Sequence, residues 1–327
     1  MFKLVAIGDP IIDTHVQIEE NCLECHLASD NKHLCLNYGE KIPIIDSFQS
    51  LGGNAPNVAV GAARLGLTSA VLSTVGTDAY GKLALQELKK QGVDTTLISK
   101  DRTHQTRYSI VLNYRGERTI LSYSEEKTYR WPTKMPPTDW IYYTGLSKGF
   151  EIIQEKLLKY LTSHPTVRLA VNPGSYLMKY AKEKLCEVLP RTDLLIVNLE
   201  EAEKILNTTL EEKKSAAALI HALLREGPKE IVLTDGQRGA LAGTTETTWH
   251  IPAFPVPVVA KTGAGDAFSS AYIAARFYGH DIATALRWGS ANSSGVMQEH
   301  GPHGGLQDQA GIKHTLTQFK TCMASMV

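Results

Sequence analysis

The most informative stretch of the sequence is Ala260-Lys261-Thr262-Gly263-Ala264-Gly265-Asp266-Ala267-Phe268. An extended segment in which prolines alternate with apolar residues precedes it, from Ile251 to Val259, and an apolar-periodic run through Tyr278 follows it. The pattern predicts a tight glycine turn where an extended segment becomes a helix. The free amides and the dipole of a helix N-terminus favour a bound anion, typically a phosphate.

Asp266 places a carboxylate beside this predicted anion site. Bound phosphate would repel a carboxylate that had no task there, and removing a proton is such a task. A capped helix start after a glycine turn explains the same residues equally well. The stretch alone therefore leaves a catalytic and a structural interpretation open.

The composition is that of an ordinary globular protein. The chain has 327 residues, of which 43% are hydrophobic and 21% charged, and its 34 basic residues balance its 34 acidic ones. This balance provides no net charge to drive binding to nucleic acid or to an anionic membrane. No apolar run reaches the roughly 18 residues of a membrane-spanning helix. Five cysteines, an odd number, predict a reducing cytoplasmic location.

A second glycine motif lies in the N-terminal part of the chain, Leu51-Gly52-Gly53-Asn54-Ala55-Pro56-Asn57. It leads into a helix of small residues that Gly66 ends, and its proline suits an early helical position. The amides of Asn54 and Asn57 can form hydrogen bonds with hydroxyl groups. The motif therefore predicts a helix that lies close to a polar ligand.

Asp13 follows the glycine that ends the first predicted strand, Lys3 to Ile7. Ligands bind at the carboxyl ends of parallel strands, so an acidic residue just past a strand end can bind the hydroxyl groups of a ligand. A solvated loop aspartate is the alternative.

Strands and helices alternate from Asp139 onward, and polar residues follow the strand ends. Repeated strand and helix units predict a parallel sheet covered by helices, with these polar residues gathered at one edge. Residues 14–50 and 105–125 alternate instead as half-buried strands, which predicts a small β appendage. No linker or change of composition divides the chain, so we expect a single α/β domain over residues 1–327.

Two clusters suggest other chemistry. Zinc could be bound tetrahedrally by residues of one short segment, Cys22, Cys25, His26, His33 and Cys35, although unpaired thiols on a small β element are the simpler interpretation.

A serine hydrolase is the second alternative. Gly145-Leu146-Ser147-Lys148-Gly149 stands between a predicted strand and helix, as a nucleophile elbow does, and Asp235 with His300 or His303 could complete a triad. No His-Gly-Gly-Gly string precedes it, and a loop whose Gly and Ser face a ligand would look the same.

The two glycine motifs together resemble those of the ribokinase-like (PfkB) family of carbohydrate kinases. Between them, Asn198-x-x-Glu201 and Thr234-Asp235-Gly236-x-x-Gly239 stand in the order typical of that family, and the match spans nearly the whole chain. The resemblance implies a central, mostly parallel sheet with helices on both faces, plus a small β-sheet lid over a sugar. It also implies that the γ-phosphoryl group of ATP is transferred to a hydroxyl of a sugar or sugar-like substrate.

The resemblance further implies roles for matching residues. Asp266 would be the base that accepts the proton of the attacking hydroxyl, while the amides of Gly263, Ala264 and Gly265 hold the charge of the transferring group. Substrate hydroxyls would be bound by four residues, Asp13, Gly53, Asn54 and Asn57. Asn198 and Glu201 would organise Mg²⁺ through waters, and the nucleotide would lie along Thr234, Gly236, Gly239 and Asn292. A simple asparagine cap with an acidic first helical turn is the alternative for Asn198 and Glu201.

One feature departs from the family pattern. The family usually has Asp-Thr where this chain has Ala260-Lys261, and in ribokinases the missing aspartate helps to bind a monovalent cation. The Lys261 ammonium could supply the positive charge instead, or it could point to solvent and leave the site without this charge. The change also keeps open a sugar-binding protein with little turnover.

The acceptor and the oligomeric state remain open at this point. A sugar, a sugar acid and a nucleoside would all suit the motifs. Exposed strands in 14–50 would allow a homodimer through the lid, because unpaired strand edges seek partners.

Overall fold

The computed structural model describes residues 1–30, 33–213 and 215–327. The strands of this part are β1 (Phe2–Ile7), β2 (Ile11–Ile18), β3 (Cys25–Leu27), β4 (Leu34–Leu36), β5 (Ile44–Gly52), β6 (Ser69–Gly76), β7 (Ile98–Asp101), β8 (Arg107–Tyr114), β9 (Glu117–Tyr123), β10 (Thr138–Tyr143), β11 (Arg168–Val171), β12 (Leu194–Asn198), β13 (Glu230–Thr234), β14 (Ala240–Gly243), β15 (Thr248–Ile251) and β16 (Ser325–Met326). The helices are α1 (Asn54–Arg64), α2 (Ala79–Lys90), α3 (Glu151–Ser163), α4 (Ser175–Tyr180), α5 (Lys182–Val188), α6 (Leu199–Leu206), α7 (Leu210–Lys213), α8 (Ala216–Arg225), α9 (Ala264–Phe277), α10 (Ile282–Met297) and α11 (Gln309–Gln318).

A ten-stranded sheet forms the centre of the molecule, in the order β16-β15-β14-β13-β12-β11-β10-β1-β6-β7. All neighbours from β13 to β7 are parallel, and β14, β15 and β16 are added antiparallel at one side. The predicted fold class, a mostly parallel sheet flanked by helices, is confirmed.

Both faces of the sheet are buried, as expected for parallel strands. In β1, Leu4 and Ala6 point into one hydrophobic cluster, whereas Val5 and Ile7 point into the other. The first cluster contains apolar residues of α1, α9 and α10, and the second contains those of α3, α5 and α8. The two-sided core holds the sheet rigid, so the loops at its carboxyl edge have a fixed base.

A second, four-stranded sheet has the order β5-β2-β8-β9 and is called the small sheet below. It corresponds to the β appendage expected from residues 14–50 and 105–125, but its first strand begins earlier, at Ile11. Asp13 therefore lies within strand β2 and pairs across to Ser50 and Ser109.

The cysteine segment forms a short hairpin of β3 and β4 attached to the small sheet. Cys22 and Cys25 are joined as a disulfide, while Cys35 is free and pairs in register with His26. The zinc alternative is not supported, because two of its expected ligands are bonded to each other. The residues of the three described ranges also contain no group of three or more His, Cys, Asp or Glu side chains placed to hold a metal ion.

The helical segment that follows β11 is divided into two helices, α4 and α5, at Ala181, which has φ of −146° and ψ of 43°. A non-helical residue interrupts the hydrogen-bond ladder, so the chain bends there. In the described part of the chain no helix has the length and apolarity needed to span a membrane.

Candidate active site

The carboxyl edge of the large sheet gathers polar residues from distant parts of the chain. Asp9 follows β1, Asn172 follows β11, and Asn198 and Thr234 end β12 and β13. Parallel neighbours put all these strand ends on one side of the sheet. The turn before α9 and the small sheet meet at this edge, where the Arg118 guanidinium of β9 donates a hydrogen bond to Thr262 Oγ1.

The glycine turn at the start of α9 has the geometry of an anion site. Gly263 is the residue before the helix and has φ of 82°, which favours glycine. A Cβ on Gly263 would lie 2.6 Å from Pro302 Cα, whereas a Cβ on Gly265 would meet no atom within 4 Å. The turn is therefore packed against Pro302 at Gly263 and open at Gly265.

Asp266 lies in the first turn of α9 and accepts a hydrogen bond of 2.7 Å from Asn57 Nδ2. Burial raises the pKa of Asp266 to about 6, against the opposing effect of the Asn57 hydrogen bond. A carboxylate with such a pKa is ionised at neutral pH and is a better proton acceptor than an ordinary aspartate.

Asn57 lies on α1 and is 5% exposed. Its Oδ1 is 2.9 Å from His303 Nε2. The second glycine motif and the glycine turn before α9 therefore meet through Asn57 and Asp266. His303 is a residue of this site that sequence reasoning considered only as part of a serine triad.

The other residues expected to bind substrate have different surroundings. Gly53 has φ of 96°, and a Cβ there would lie 2.3 Å from Asp9 O, so this glycine is required by backbone packing. Asn54 is exposed and donates to Asn172 Oδ1 at 2.9 Å. Asp13 accepts a hydrogen bond from Ser109 Oγ. Asn54 therefore presents a polar group at the carboxyl edge, and Asp13 presents one on the small sheet.

Asn198 and Glu201 form the reciprocal cap of α6. Glu201 N donates to Asn198 Oδ1 and Asn198 N donates to Glu201 Oε2, both at 2.9 Å. Burial raises the pKa of Glu201, and the nearby charge of Asp266 raises it further, while the Asn198 amide acts in the opposite direction. The structural alternative from the sequence, an asparagine cap, is therefore present.

Glu201, which lies near Asp266, also suits Mg²⁺. The carboxylates of Glu201 and Asp266 destabilise each other's charge, and a divalent cation would relieve this repulsion. Mg²⁺ takes oxygen ligands and retains waters, so a carboxylate, phosphate oxygens and waters would form a suitable set. Glu201 is thus the residue that would hold the ion.

The predicted nucleotide segment follows β13. Gly236 has φ of 53° and open space where a Cβ would be, so its backbone is accessible. Gly239 has φ of 90°, and a Cβ there would lie 2.0 Å from Ile251 O. Asp235 and Arg238 form an ion pair with bonds of 2.7 and 2.9 Å. Gly236 and Thr234 remain available to a ligand, whereas Gly239 has a packing role.

Asn292 does not lie where a nucleoside could contact it. The residue is 0% exposed and its Nδ2 donates to Ala267 O at 2.9 Å and Ser270 Oγ at 3.3 Å. Its Oδ1 accepts from Gln307 N at 2.9 Å. The expected nucleotide contact is corrected: this amide joins α9, α10 and the segment before α11.

Lys261 is exposed, and the ion pairs of the described residues do not include it. The cation that contacts this turn is Arg118, which comes from β9. The sequence could have suggested Arg118 only through its position in the predicted small sheet.

The serine hydrolase alternative is not supported. Ser147 is 0% exposed and its Oγ donates to Asp9 Oδ2 at 2.8 Å. His303 contacts Asn57 and Asp235 pairs with Arg238, so neither can activate Ser147.

Asp9 is a buried charge that sequence reasoning passed over. It accepts hydrogen bonds from Ser73 Oγ, Tyr129 OH and Ser147 Oγ, of 2.7 to 2.9 Å. Burial acts to raise the pKa of Asp9, but Lys127, Arg107 and these hydrogen bonds outweigh it and hold the pKa below its ordinary value. The signal in the sequence was an aspartate directly after a buried strand and glycine. Asp9 thus joins β6 to the segments that contain Tyr129 and Ser147.

Comparison with known proteins identifies one family over most of the chain. Residues 27–309 match the model of the pfkB family of carbohydrate kinases. The ribokinase of Staphylococcus aureus (strain COL) is 25% identical over 276 residues, covering 80% of this chain and 87% of that protein. The 5-dehydro-2-deoxygluconokinase of Clostridium tetani is 26% identical over 295 residues, covering 85% and 87%.

A solved structure shares the fold over almost the whole chain. The Arabidopsis thaliana ribokinase, solved with ribose and ATP, superimposes with a TM-score of 0.78 at 20% identity and covers 96% of this chain and 98% of its own. The family match extends through both glycine motifs, including the turn that carries Asp266. The chain therefore belongs to the pfkB family and is a carbohydrate kinase.

Proposed function

We propose that this carbohydrate kinase transfers the γ-phosphoryl group of ATP to a hydroxyl of a sugar or sugar-like substrate, with Asp266 as the base. The observation that supports this is Asp266 itself, a carboxylate with a raised pKa in the first turn of α9, where Gly265 faces open space. Phosphoryl transfer needs mainly positioning and charge stabilisation. The amides of Gly263, Ala264 and Gly265 provide that stabilisation, and Asp266 accepts the hydroxyl proton.

Mg²⁺ is the proposed cofactor with ATP, held through Glu201 beside Asn198. When bound, it supplies positive charge to the phosphate oxygens. Thr234 and Gly236 lie at the end of β13, where the nucleotide would extend from this point. The exposed backbone of Gly236 supports this placement, while Gly239 shapes the turn.

The substrate lies between α1 and the small sheet in this proposal, which makes the small sheet a lid on a single catalytic domain. Asp13 and Asn54 provide hydrogen-bonding groups, and Arg118 ties the small sheet to the glycine turn. The named relatives act on ribose and on a deoxy sugar acid, so both classes are candidates. Measuring ADP release from ATP with a panel of sugars, sugar acids and nucleosides identifies the acceptor.

Replacing Asp266 tests the assignment of the base. Asp266→Asn removes the proton acceptor while keeping the shape, so kcat is expected to fall by about 10³-fold with an unchanged circular dichroism spectrum. Asp139→Asn, at the opposite edge of the sheet in β10, is the matched control and should keep full activity. An Asp266→Asn enzyme with near wild-type turnover would show that the base is another group. ATP-independent sugar binding with no ADP release from the wild type would favour the binding-protein alternative.

Activity is expected not to require potassium, because Ala260 cannot act as the cation-binding aspartate of ribokinases. Lys261 or Arg118 would supply positive charge near Thr262 in its place. Turnover should therefore be similar in potassium, sodium and Tris-only buffers of equal ionic strength. Strong activation by potassium alone would contradict this expectation.

We also propose a homodimer formed through the small sheet and a cytoplasmic location. Strand β5 is at the edge of the small sheet and exposes Ile44 and Ile45. Unpaired apolar edges favour association with another copy. Dependence on ATP favours the cytoplasm.

A further inference from the structure

Three side chains from distant parts of the sequence form a continuous chain of hydrogen bonds. Asn57 Nδ2 donates to Asp266 Oδ2 at 2.7 Å, and Asn57 Oδ1 lies 2.9 Å from His303 Nε2. His303 comes from the turn-rich segment between α10 and α11. The imidazole thus touches the amide that touches the proposed base.

The direction of each bond follows from the chemistry of the groups. An ionised carboxylate only accepts, so the Asn57 amide must present its NH₂ to Asp266. Its carbonyl oxygen therefore faces His303, and an oxygen requires a donor. His303 Nε2 must carry the proton, which leaves Nδ1 unprotonated in the neutral ring.

The imidazole is neutral at physiological pH. Burial lowers the pKa of His303 to about 4, and the nearby Arg64 guanidinium acts in the same direction. Asn57 is the polar partner that the structure gives to His303. A neutral ring with a fixed tautomer donates the same hydrogen bond across the whole working range of pH.

The backbone around His303 is held against both glycine motifs. Pro302, the preceding residue, packs on Gly263 so closely that a Cβ there would lie 2.6 Å from Pro302 Cα. Arg64, at the end of α1, donates to Leu306 O at 3.4 Å and to Gln91 Oε1 at 3.0 Å. The segment therefore cannot move without disturbing the turn that carries the anion site.

We infer that His303 is a positioning residue for phosphoryl transfer: it fixes the Asn57 amide in the one orientation that aims its NH₂ at the Asp266 carboxylate. This inference rests on the proposed role of Asp266 as base. Without the His303 donor, the carbonyl oxygen of Asn57 loses its hydrogen-bond partner, and the amide is no longer held at a fixed distance and angle from the Asp266 carboxylate. The Asp266 carboxylate then loses both its fixed orientation and the hydrogen bond from Asn57.

The charged surroundings of Asp266 define what its titration reports. The Glu201 carboxylate faces it from α6, and its charge interacts with that of Asp266. Tyr142, on β10, also interacts with Asp266 and remains un-ionised because burial raises its pKa. Arg64 is the charged group near His303. Replacing His303 by an uncharged residue changes none of these charges, so a shift of the Asp266 titration reports the Asn57 contact.

The test uses three variants of the full chain: His303→Ala, His303→Gln and His314→Ala. Gln keeps an amide N–H near the position of Nε2, and His314 is an exposed histidine of α11 that serves as the matched control. Carbon-13 NMR follows the carboxyl titration of Asp266, assigned by its loss in Asp266→Asn. This readout requires no substrate.

We expect His303→Ala to move the Asp266 titration to higher pH than in the wild type, because the Asn57 hydrogen bond lowers that pKa. His303→Gln should return it toward the wild-type value. In the ADP-release assay, with the acceptor found by the panel, kcat should fall on the order of 10²-fold in His303→Ala with a smaller change in KM. His303→Gln should recover most of this loss, and His314→Ala should match the wild type in both measurements.

Two results would overturn the inference. One is an Asp266 titration that is identical in the wild type and His303→Ala. The other is a His303→Gln enzyme as impaired as His303→Ala, since that would show that the donor is irrelevant. Failure of the proposed function is seen separately, as an Asp266→Asn enzyme that remains active.

Discussion

Burial has two opposing consequences for Asp266. Burial makes its proton affinity high enough for a base, but the same burial makes the ionised form costly to keep in the folded protein. The folded state binds the proton of Asp266 more tightly than the unfolded chain does. At neutral pH, Asp266→Asn is therefore expected to be at least as stable as the wild type, as is common for residues kept for function.

The pH dependence of activity follows from the same residue. Because Asp266 acts as a carboxylate and has a pKa of about 6, kcat/KM should be low at acid pH and rise through a midpoint near this value. An ordinary aspartate would give a midpoint about two units lower. Initial rates of ADP release between pH 4.5 and 8, at roughly constant ionic strength, measure the midpoint. A profile that is flat across this range would contradict the assignment.

The turn before α9 is the element on which the site depends, and its two glycines have different reasons to be glycine. Gly263 has positive φ and touches Pro302, so a side chain there strains the fold. Gly265 is helical and faces open space, so a side chain there disturbs only a ligand.

Two alanine variants separate these reasons. Gly263→Ala is expected to lower the free energy of unfolding by about 1–3 kcal/mol and to abolish turnover. Gly265→Ala should keep or slightly raise Tm, since alanine favours helix over glycine, while kcat falls on the order of 10²-fold. Thermal unfolding and ADP-release assays measure both effects. Full activity in Gly265→Ala would mean that the transferring group does not approach this amide.

In the whole molecule, the site residues meet at the carboxyl edge of the large sheet, and the small sheet contacts this edge through Arg118. The two are connected by contacts that cross the site, such as Arg118 with Thr262, in addition to the chain itself. The outer parts of the small sheet remain exposed, with Ile45 at 65% and Leu121 at 53% exposure. These residues form the surface that a second copy would cover.

A single charge on this surface tests the proposed dimer. Ile45→Asp should convert a dimer to a monomer, because a carboxylate buried at an interface without a partner is strongly unfavourable. Ile152→Asp, on exposed α3, is the matched control and should not change the mass. Size-exclusion chromatography with light scattering measures the oligomeric state. A wild-type protein that is monomeric at all concentrations would contradict the proposed interface.

Local patterns in the sequence determined much of this protein. The alternation of strands and helices predicted the fold class, and the Gly263 to Asp266 turn at a helix start was predicted correctly, because period and glycine placement depend on neighbouring residues. The sequence also offered the helix cap at Asn198 as an alternative, because the cap joins residues only three positions apart.

The contacts between these segments depend on the tertiary structure. Asn57 is separated from Asp266 by 209 residues and from His303 by 246, and Arg118 from Thr262 by 144. Asn57 donates to Asp266 and Asn292 joins α9 to α10, and neither contact was indicated by the sequence, whereas substrate binding by Asn57 stays a prediction. Such contacts depend on strand order and helix packing across the whole chain. No local pattern specifies them, so the partner of a polar side chain is known only once the fold has placed it.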